Sequence, residues 1–292
     1  MSHYRAARIA LATRHGKERV IGRAVRHGLG AELLHLPQID TDQLGTFCGS
    51  VSRRGTALEA CLAKARLALE QGGTGLAIAS EGSFGPHPAV PLLPLGLEVM
   101  VFLDQERGLT IHEQLQARRT NFAQRRFRAQ SLASAELTPE LERWLTAVDF
   151  PSHALIVRPH APDHGAALIR KGIHDRDALS AAIVAAAAEA PGGEVQLETD
   201  MRAHCNPTRM ASIRQLSFRL VRRIATPCPS CQAPGWGLIA SERGLPCGWC
   251  GLPTALTRAE IHGCVRCDHR RELPRRDGLR QADPAHCPHC NP

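Results

Sequence analysis

The sequence predicts a mixed-sheet α/β domain over residues 1–224, followed over 226–292 by a double cysteine-rich module resembling two small zinc ribbons. Three observations carry this expectation. Apolar strand-like runs alternate with helical stripes through the first 224 residues. One apolar run, Gly75 to Ala79, ends abruptly in the acid-bearing stretch Ser80-Glu81-Gly82-Ser83-Phe84-Gly85-Pro86-His87-Pro88. Eight of the eleven cysteines fall as four Cys-x2-Cys pairs near the C-terminus.

Composition narrows the function classes. A chain of 292 residues with 43% hydrophobic content can bury a sizeable core. No apolar run reaches the roughly 18 residues of a membrane span, and the first residues lack the apolar core and cleavage site of a signal peptide. A cytoplasmic protein with no membrane partner is the simplest expectation. The net charge of +8 is carried by arginine, since only Lys17, Lys64 and Lys171 are lysines. A basic balance suits phosphorylated ligands or nucleic acid. It is concentrated in 117–130 and in the last 80 residues, where a solvated face is the alternative.

The elements follow in order. Arg8 to Thr13 reads as a short buried strand. A polar turn, Arg14-His15-Gly16-Lys17, leads into a helix through about His27 with its stripe at Val20, Ile21, Ala24 and Val25. Strand, polar turn with Gly and Lys, then helix is a phosphate-binding layout in general terms, because the first amides of a helix attract anions. A lysine kept in a chain that otherwise uses arginine suggests a point-charge donor at Lys17. A second strand is expected at 31–36. Asp40 and Asp42 follow in a loop, where Asp40 reads as a turn former and Asp42 as a possible cation ligand. Residues 55–71 form the clearest helix, striped by Leu58, Cys61, Leu62, Ala65 and Leu69. Glu59 and Lys64 are five residues apart, about 140° round that helix, and each reads as an exposed charge.

After the Glu81 loop, 95–103 is a strongly apolar strand with a hairpin partner starting at 109–111. A helix is expected near 139–148, a strand at 154–157, a turn at 162–165 leading to 166–169, a helix at 175–189 and a strand at 194–197. That last strand delivers Glu198-Thr199-Asp200-Met201-Arg202 into a loop, and Asn206 or Thr208 then caps a helix over about 208–224. Arg202 and Arg209 can clamp phosphate oxygens bidentately, or pair with Glu198 and Asp200 and pin the loop.

The cysteine pairs are Cys228/Cys231, Cys247/Cys250, Cys264/Cys267 and Cys287/Cys290, separated by fifteen, thirteen and nineteen residues. Two such pairs close a zinc tetrahedron, so four pairs predict two structural Zn2+. Sequential pairing (228/231/247/250 and 264/267/287/290) fits two zinc ribbons joined by the 254–262 segment; the spacing does not exclude interleaved pairing. With every corner a cysteine, neither metal has an open position for chemistry. Trp236, Trp249 and nearby arginines can stack on nucleic acid or pack the module.

The N-terminal motifs resemble the inosine/xanthosine triphosphate pyrophosphatase superfamily. The carriers are Ala12-Thr13-Arg14-His15-Gly16-Lys17, Glu59 five residues before Lys64-Ala65, and Ser80-Glu81-Gly82-Ser83 at the end of a strand. The superfamily's Asn after the helix Glu is here Ala60, and its Asp-Ser-Gly is here Glu-Gly-Ser. The whole chain also resembles an uncharacterised bacterial family, a domain of unknown function, through Asp40-Thr41-Asp42-Gln43, Glu81 to Pro88, Asn206-Pro207-Thr208-Arg209-Met210 and the cysteine-rich end. The first resemblance implies a metal-dependent hydrolase of nucleoside triphosphates or related phosphoanhydrides. Glu59 and Glu81 would hold Mg2+ or Mn2+, helped by Asp42 or Asp200, and Lys17, Arg202 and Arg209 would neutralise the phosphates of a nucleotide or phosphorylated small molecule. The alternative is a non-catalytic protein that binds nucleic acid through the basic cysteine module.

Overall fold

A computed structural model describes residues 3–40, 55–86, 90, 93–117, 119–128, 138–160 and 169–292. Asp42, Cys48, His87, Arg118 and the expected 162–165 turn lie outside the described residues. Within them the chain is mixed α/β. β1 (Arg8–Leu11), β2 (Glu32–His35), β3 (Leu76–Pro86), β4 (Pro94–Asp104) and β5 (Leu109–Ala117) form a sheet of order β2-β1-β3-β4-β5. β1 is parallel to β2 and β3, whereas β3, β4 and β5 are antiparallel neighbours.

Strand alternation decides what covers each face. Ile9, Leu11, Ile78, Met100 and Phe102 point to one side and bury under α1 (Glu18–Leu29) and α5 (Pro207–Ala225). Ala10, Ala77 and Ala79 point to the other side, where α2 (Ala57–Gly72) packs. Small side chains let α2 approach closely: a Cβ on Gly72 would sit 2.6 Å from that of Ala10. α1 and α5 run parallel, because Gly16 lies against Met210 and Gly28 against Val221.

β3 is longer than the sequence pattern suggests. The expected loop after Ala79 is strand, paired residue by residue with β4 as far as Pro86↔Pro94. The ladder to β4 supplies the hydrogen bonds that a loop would have lost, so Gly82 and Gly85 do not break it. Gly82 serves a close approach instead: a Cβ there would meet the Arg209 guanidinium at 2.6 Å.

The intervening segment builds a second sheet, β6-β9-β7-β8, from β6 (Gln124–Arg128), β7 (Leu155–Pro159), β8 (Arg170–Ile173) and β9 (Glu194–Thr199), all antiparallel. Its core, around Leu155, Val157, Val195 and Leu197, packs against α3 (Pro139–Ala147) and α4 (Arg176–Glu189). The described residues of 1–224 therefore hold two sheets with separate cores, and α5 returns the chain to the first.

The cysteine module is one three-stranded antiparallel sheet of β10 (Gly237–Arg243), β11 (Thr257–Gly263) and β12 (Arg270–Pro274). Arg223 at the end of α5 ties it to the first sheet, donating to Gly235 O (3.2 Å), His112 O (2.8 Å) and Glu113 Oε1 (3.0 Å). Gly235, at φ 99°, is required here, since a Cβ would lie 2.8 Å from Ile111 Cδ1.

Candidate functional site

The site grows from the end of β1. Leu11, the last residue of β1, pairs with Ile78, so Ser80 and Glu81 continue past the point where β1 stops. The loop after β1 turns back over that gap, and Lys17 Nζ donates to Ser80 O at 3.0 Å. Alternation sends Glu81 to the α2 face, where Lys64 Nζ meets its Oε2 at 2.5 Å in a buried ion pair. Gly82 and its partner Glu98 face the α5 side, where Arg209 Nε donates to Glu98 Oε1 at 2.7 Å.

Two helix beginnings converge on the same place. His15, before α1, stacks on His204, before α5, with ring centroids 5.3 Å apart. Asn206 caps α5 by accepting from Arg209 N at 2.9 Å. α1 has no side-chain cap, its first amides donating to Gly16 O and Lys17 O of the preceding turn, and the positive end of its dipole is turned toward Lys17 and Ser80. Ser80 Oγ, buried, makes no hydrogen bond.

The electrostatics follow from this crowding of cations. Burial, then the Arg209 charge, lowers the Lys17 pKa to about 8, with Glu81 and Glu98 opposing the shift. Burial and then Lys17, His204, Arg202 and Arg209 push the His15 imidazole down to about 3, so it is neutral near pH 7. His204 is also lowered, by burial and then Arg202. Burial pushes the Asp200 carboxyl up, but its hydrogen bonds to Arg202, the charge of Arg202 and the Gly172 amide together outweigh it and hold the group low.

The predicted residues are distributed as follows. Lys17 and Glu81 come together, and Asp200 and Arg202 lie at the end of β9 close by. Arg202 Nε and Nη2 hold both Asp200 oxygens, at 3.0 and 2.6 Å. Arg209 also pairs with an acid, but the partner is Glu98 rather than Glu198 or Asp200; Glu198 pairs with Arg158. Arg209 is buried, gives Nη1 to Met201 O and lies over the Phe84 ring, so its fork is occupied by protein. Glu59 is not at the site. It faces solvent and closes a capping box, accepting from Thr56 N at 2.7 Å, which lowers its pKa. Asp40 pairs with Arg14 at 3.3 Å rather than serving a turn alone.

Lys64 and Glu98 belong to the site although the sequence pattern assigns neither a role there. Lys64 is 8% exposed, not a surface charge. The 140° separation from Glu59 already turned one of the two inward, and Lys64 was one of only three lysines in an arginine-rich chain. Glu98 was visible as a lone acid inside the apolar run 95–103.

The eight cysteines close into two groups, Cys228/Cys231/Cys264/Cys267 and Cys247/Cys250/Cys287/Cys290, each with its sulfurs within 4.8 Å of one another. The pairing is interleaved, and the sequential alternative is corrected. Each intervening segment holds one strand, and seven extended residues span about 23 Å, so each successive pair is carried to the opposite end of the sheet. The Sγ–Sγ distances across the pairs are 3.8, 3.6, 3.9 and 3.6 Å. A tetrahedron with metal–sulfur bonds of about 2.3 Å has edges of about 3.8 Å, so the geometry fits a metal ion. Backbone amides of Ser230, Trp249 and Arg266 point at Cys228, Cys247 and Cys264 Sγ at 3.3–3.4 Å, the support thiolates need. Trp236 stacks on His269 inside the module, whereas Trp249 is 80% exposed at the far knuckle.

Fold and site together define a mixed α/β protein with a buried lysine–carboxylate cluster and two four-cysteine groups able to hold metal. The chain belongs to the family described as a domain of unknown function, DUF6671, whose model matches residues 64–292. The match includes Lys64, Glu81, Glu98, Asp200, Arg202, Arg209 and all eight paired cysteines; Lys17 and Glu59 precede it. No curated protein and no solved structure matches the chain, so the resemblance to the inosine triphosphate pyrophosphatase superfamily finds no support there. Among the described residues, no helix is long and apolar enough to cross a membrane.

Proposed function

We propose that this chain is a metal-dependent hydrolase of nucleoside triphosphates or related phosphoanhydrides, with its two four-cysteine groups holding structural zinc. The observation that carries this reading is the convergence of the α1 and α5 beginnings on buried Lys17, with the Lys64–Glu81 pair beside it. An anionic ligand is the chemistry that such a concentration of amides, lysine and arginine recognises.

Lys17 Nζ binds the phosphate oxygens, the positive end of the α1 dipole favours their charge, and the Ser80 hydroxyl donates the remaining hydrogen bond. Lys64 shifts from Glu81 to a phosphate oxygen, which frees the carboxylate. Glu81 then positions the attacking water and takes its proton. A divalent cation would neutralise the phosphates and polarise that water when bound. The residues fit such an ion only in part: among the described residues, no group of three acidic side chains gathers here. Glu81 would be the protein ligand of a Mg2+ or Mn2+ held mainly by the substrate's phosphates. Arg202 is the remaining clamp, oriented by Asp200. Arg209 acts by holding α5 to β4, and Glu59 by capping α2.

The test is release of phosphate or pyrophosphate from a panel of nucleoside triphosphates with Mg2+ or Mn2+. Metal-dependent turnover should fall at least about 100-fold in Glu81→Gln, which keeps an acceptor for Lys64. Turnover absent from the whole panel, or indifferent to Glu81, overturns the assignment.

A further inference from the structure

The outer face of α1 is independent of that cluster and carries its own signal. Arg19, Arg23 and Arg26 recur at helical spacing and line an open groove of about 780 Å³ between α1 and the edge strand β2, with His27, His35 and the acids Glu18 and Glu32. The volume lies within the range of ligand sites, roughly 300–1,000 Å³. Glu18 is the only acid in α1, and α5 beside it has none, while Arg214, Phe218 and Arg222 form a row on its exposed side. Arg19 stands 3.9 Å from Glu18, and neither Arg23 nor Arg26 has an ion-pair partner among the described residues. In the cysteine module three of the eight arginines, Arg258, Arg275 and Arg276, are paired, with Glu242, Glu272, Asp277 and Glu260.

We propose that the α1–β2 groove binds a single strand of nucleic acid, its phosphates tracked by Arg19, Arg23 and Arg26. A concave slot admits one backbone, whereas a duplex presents its phosphates to protruding elements. Glu18 decides between nucleic acid and a bare polyphosphate. Its Oε2 is buried in the groove wall without a hydrogen bond, 3.9 Å from His35 Nε2. Phosphate oxygens only accept at neutral pH and cannot satisfy it. A ribose hydroxyl or an exocyclic amino group donates and can.

The experiment is a fluorescence-anisotropy titration of the full-length, zinc-loaded protein with a short labelled single-stranded oligonucleotide, at salt from about 50 to 200 mM. The variant Arg19→Gln/Arg23→Gln/Arg26→Gln should bind at least about tenfold more weakly, with a log–log salt slope shallower by about 2, since each phosphate contact on a single strand contributes about 0.7. Arg266→Gln/Arg270→Gln in the cysteine module should bind as wild type does. Inorganic polyphosphate should compete poorly against wild type and well against Glu18→Ala. Unchanged affinity in the triple variant, a preference for duplex, or equal competition by polyphosphate against the wild-type protein overturns the proposal. Nucleotide hydrolysis is measured on the same triple variant, so failure of the groove and failure of the hydrolase reading are separate results.

Discussion

Lys64 and Glu81 form a buried ion pair across the α2–β3 contact, Nζ 2.5 Å from Oε2, with side-chain exposures of 10% and 3%. Removing one partner strands a charge, and breaking such a pair costs about 3–5 kcal/mol. Lys64→Met should therefore lower the unfolding free energy by about that amount in urea denaturation. Lys64→Met/Glu81→Leu should recover most of the loss, because two apolar side chains of similar volume leave nothing unpaired. A double variant as unstable as the single one would mean that packing, not charge, sets the cost.

Lys17 makes stability depend on alkaline pH. Burial, then Arg209, lowers its pKa from the ordinary 10.5 to about 8, so between those values the unfolded chain binds more protons. Unfolding free energy must rise as pH climbs through that window, and the penalty is fully present below about pH 8. Compared with Lys17→Met, the wild type should gain on the order of 3 kcal/mol across the window. Denaturation of both proteins at several pH values checks this; parallel curves would show an ordinary lysine. Activity that needs the charged amine should decline above about pH 8.

Much of this arrangement is legible in the sequence, and the exceptions share a cause. The helical stripe of Leu58, Cys61, Leu62 and Ala65 and the apolar run ending at Ala79 are local patterns, and α2 and the start of β3 follow them. The extension of β3 through Gly82 depends on Glu98 of β4, sixteen residues away in sequence and invisible to any local pattern. The sequence offers Arg209 a phosphate or a nearby acid, Glu198 or Asp200, and its actual partner Glu98 lies 111 residues off. Glu59 was carried to the site by resemblance, although Thr56 three residues before it spells a capping box. The existence of two metal groups was legible from spacing, but their pairing depends on strand direction.

Gly28 sets the separation of α1 and α5. An added Cβ would collide with Val221 Cγ1, itself buried. Alanine gains about 1 kcal/mol of helix propensity over glycine, while overpacking costs about 1–3 kcal/mol, so the collision should win. Gly28→Ala should melt lower than wild type, and Gly28→Ala/Val221→Ala should melt higher than Val221→Ala alone, because the collision is gone and the propensity gain remains. A stabilised single variant would show that the two helices separate without cost.

Interleaved pairing has a consequence that metal counting can read. Cys228 and Cys264 belong to one group, and Cys247 belongs to the other. Full-length protein should hold two zinc ions, and removal by a chelator should unfold the module, because its exposed strands bury too little to persist alone. Cys228→Ser/Cys264→Ser damages a single group and should retain about one zinc per chain. Cys228→Ser/Cys247→Ser damages both and should retain none. Two successive ribbons predict the reverse, since 228 and 247 would then share an ion while 228 and 264 would not. Elemental analysis of the two double variants separates the arrangements. The near group should matter more for the rest of the fold, because Gly235 beside it packs on Ile111 of β5 and accepts from Arg223. Cys228→Ser/Cys264→Ser should therefore lower the melting temperature of the α/β part, whereas Cys247→Ser/Cys287→Ser should leave it close to wild type.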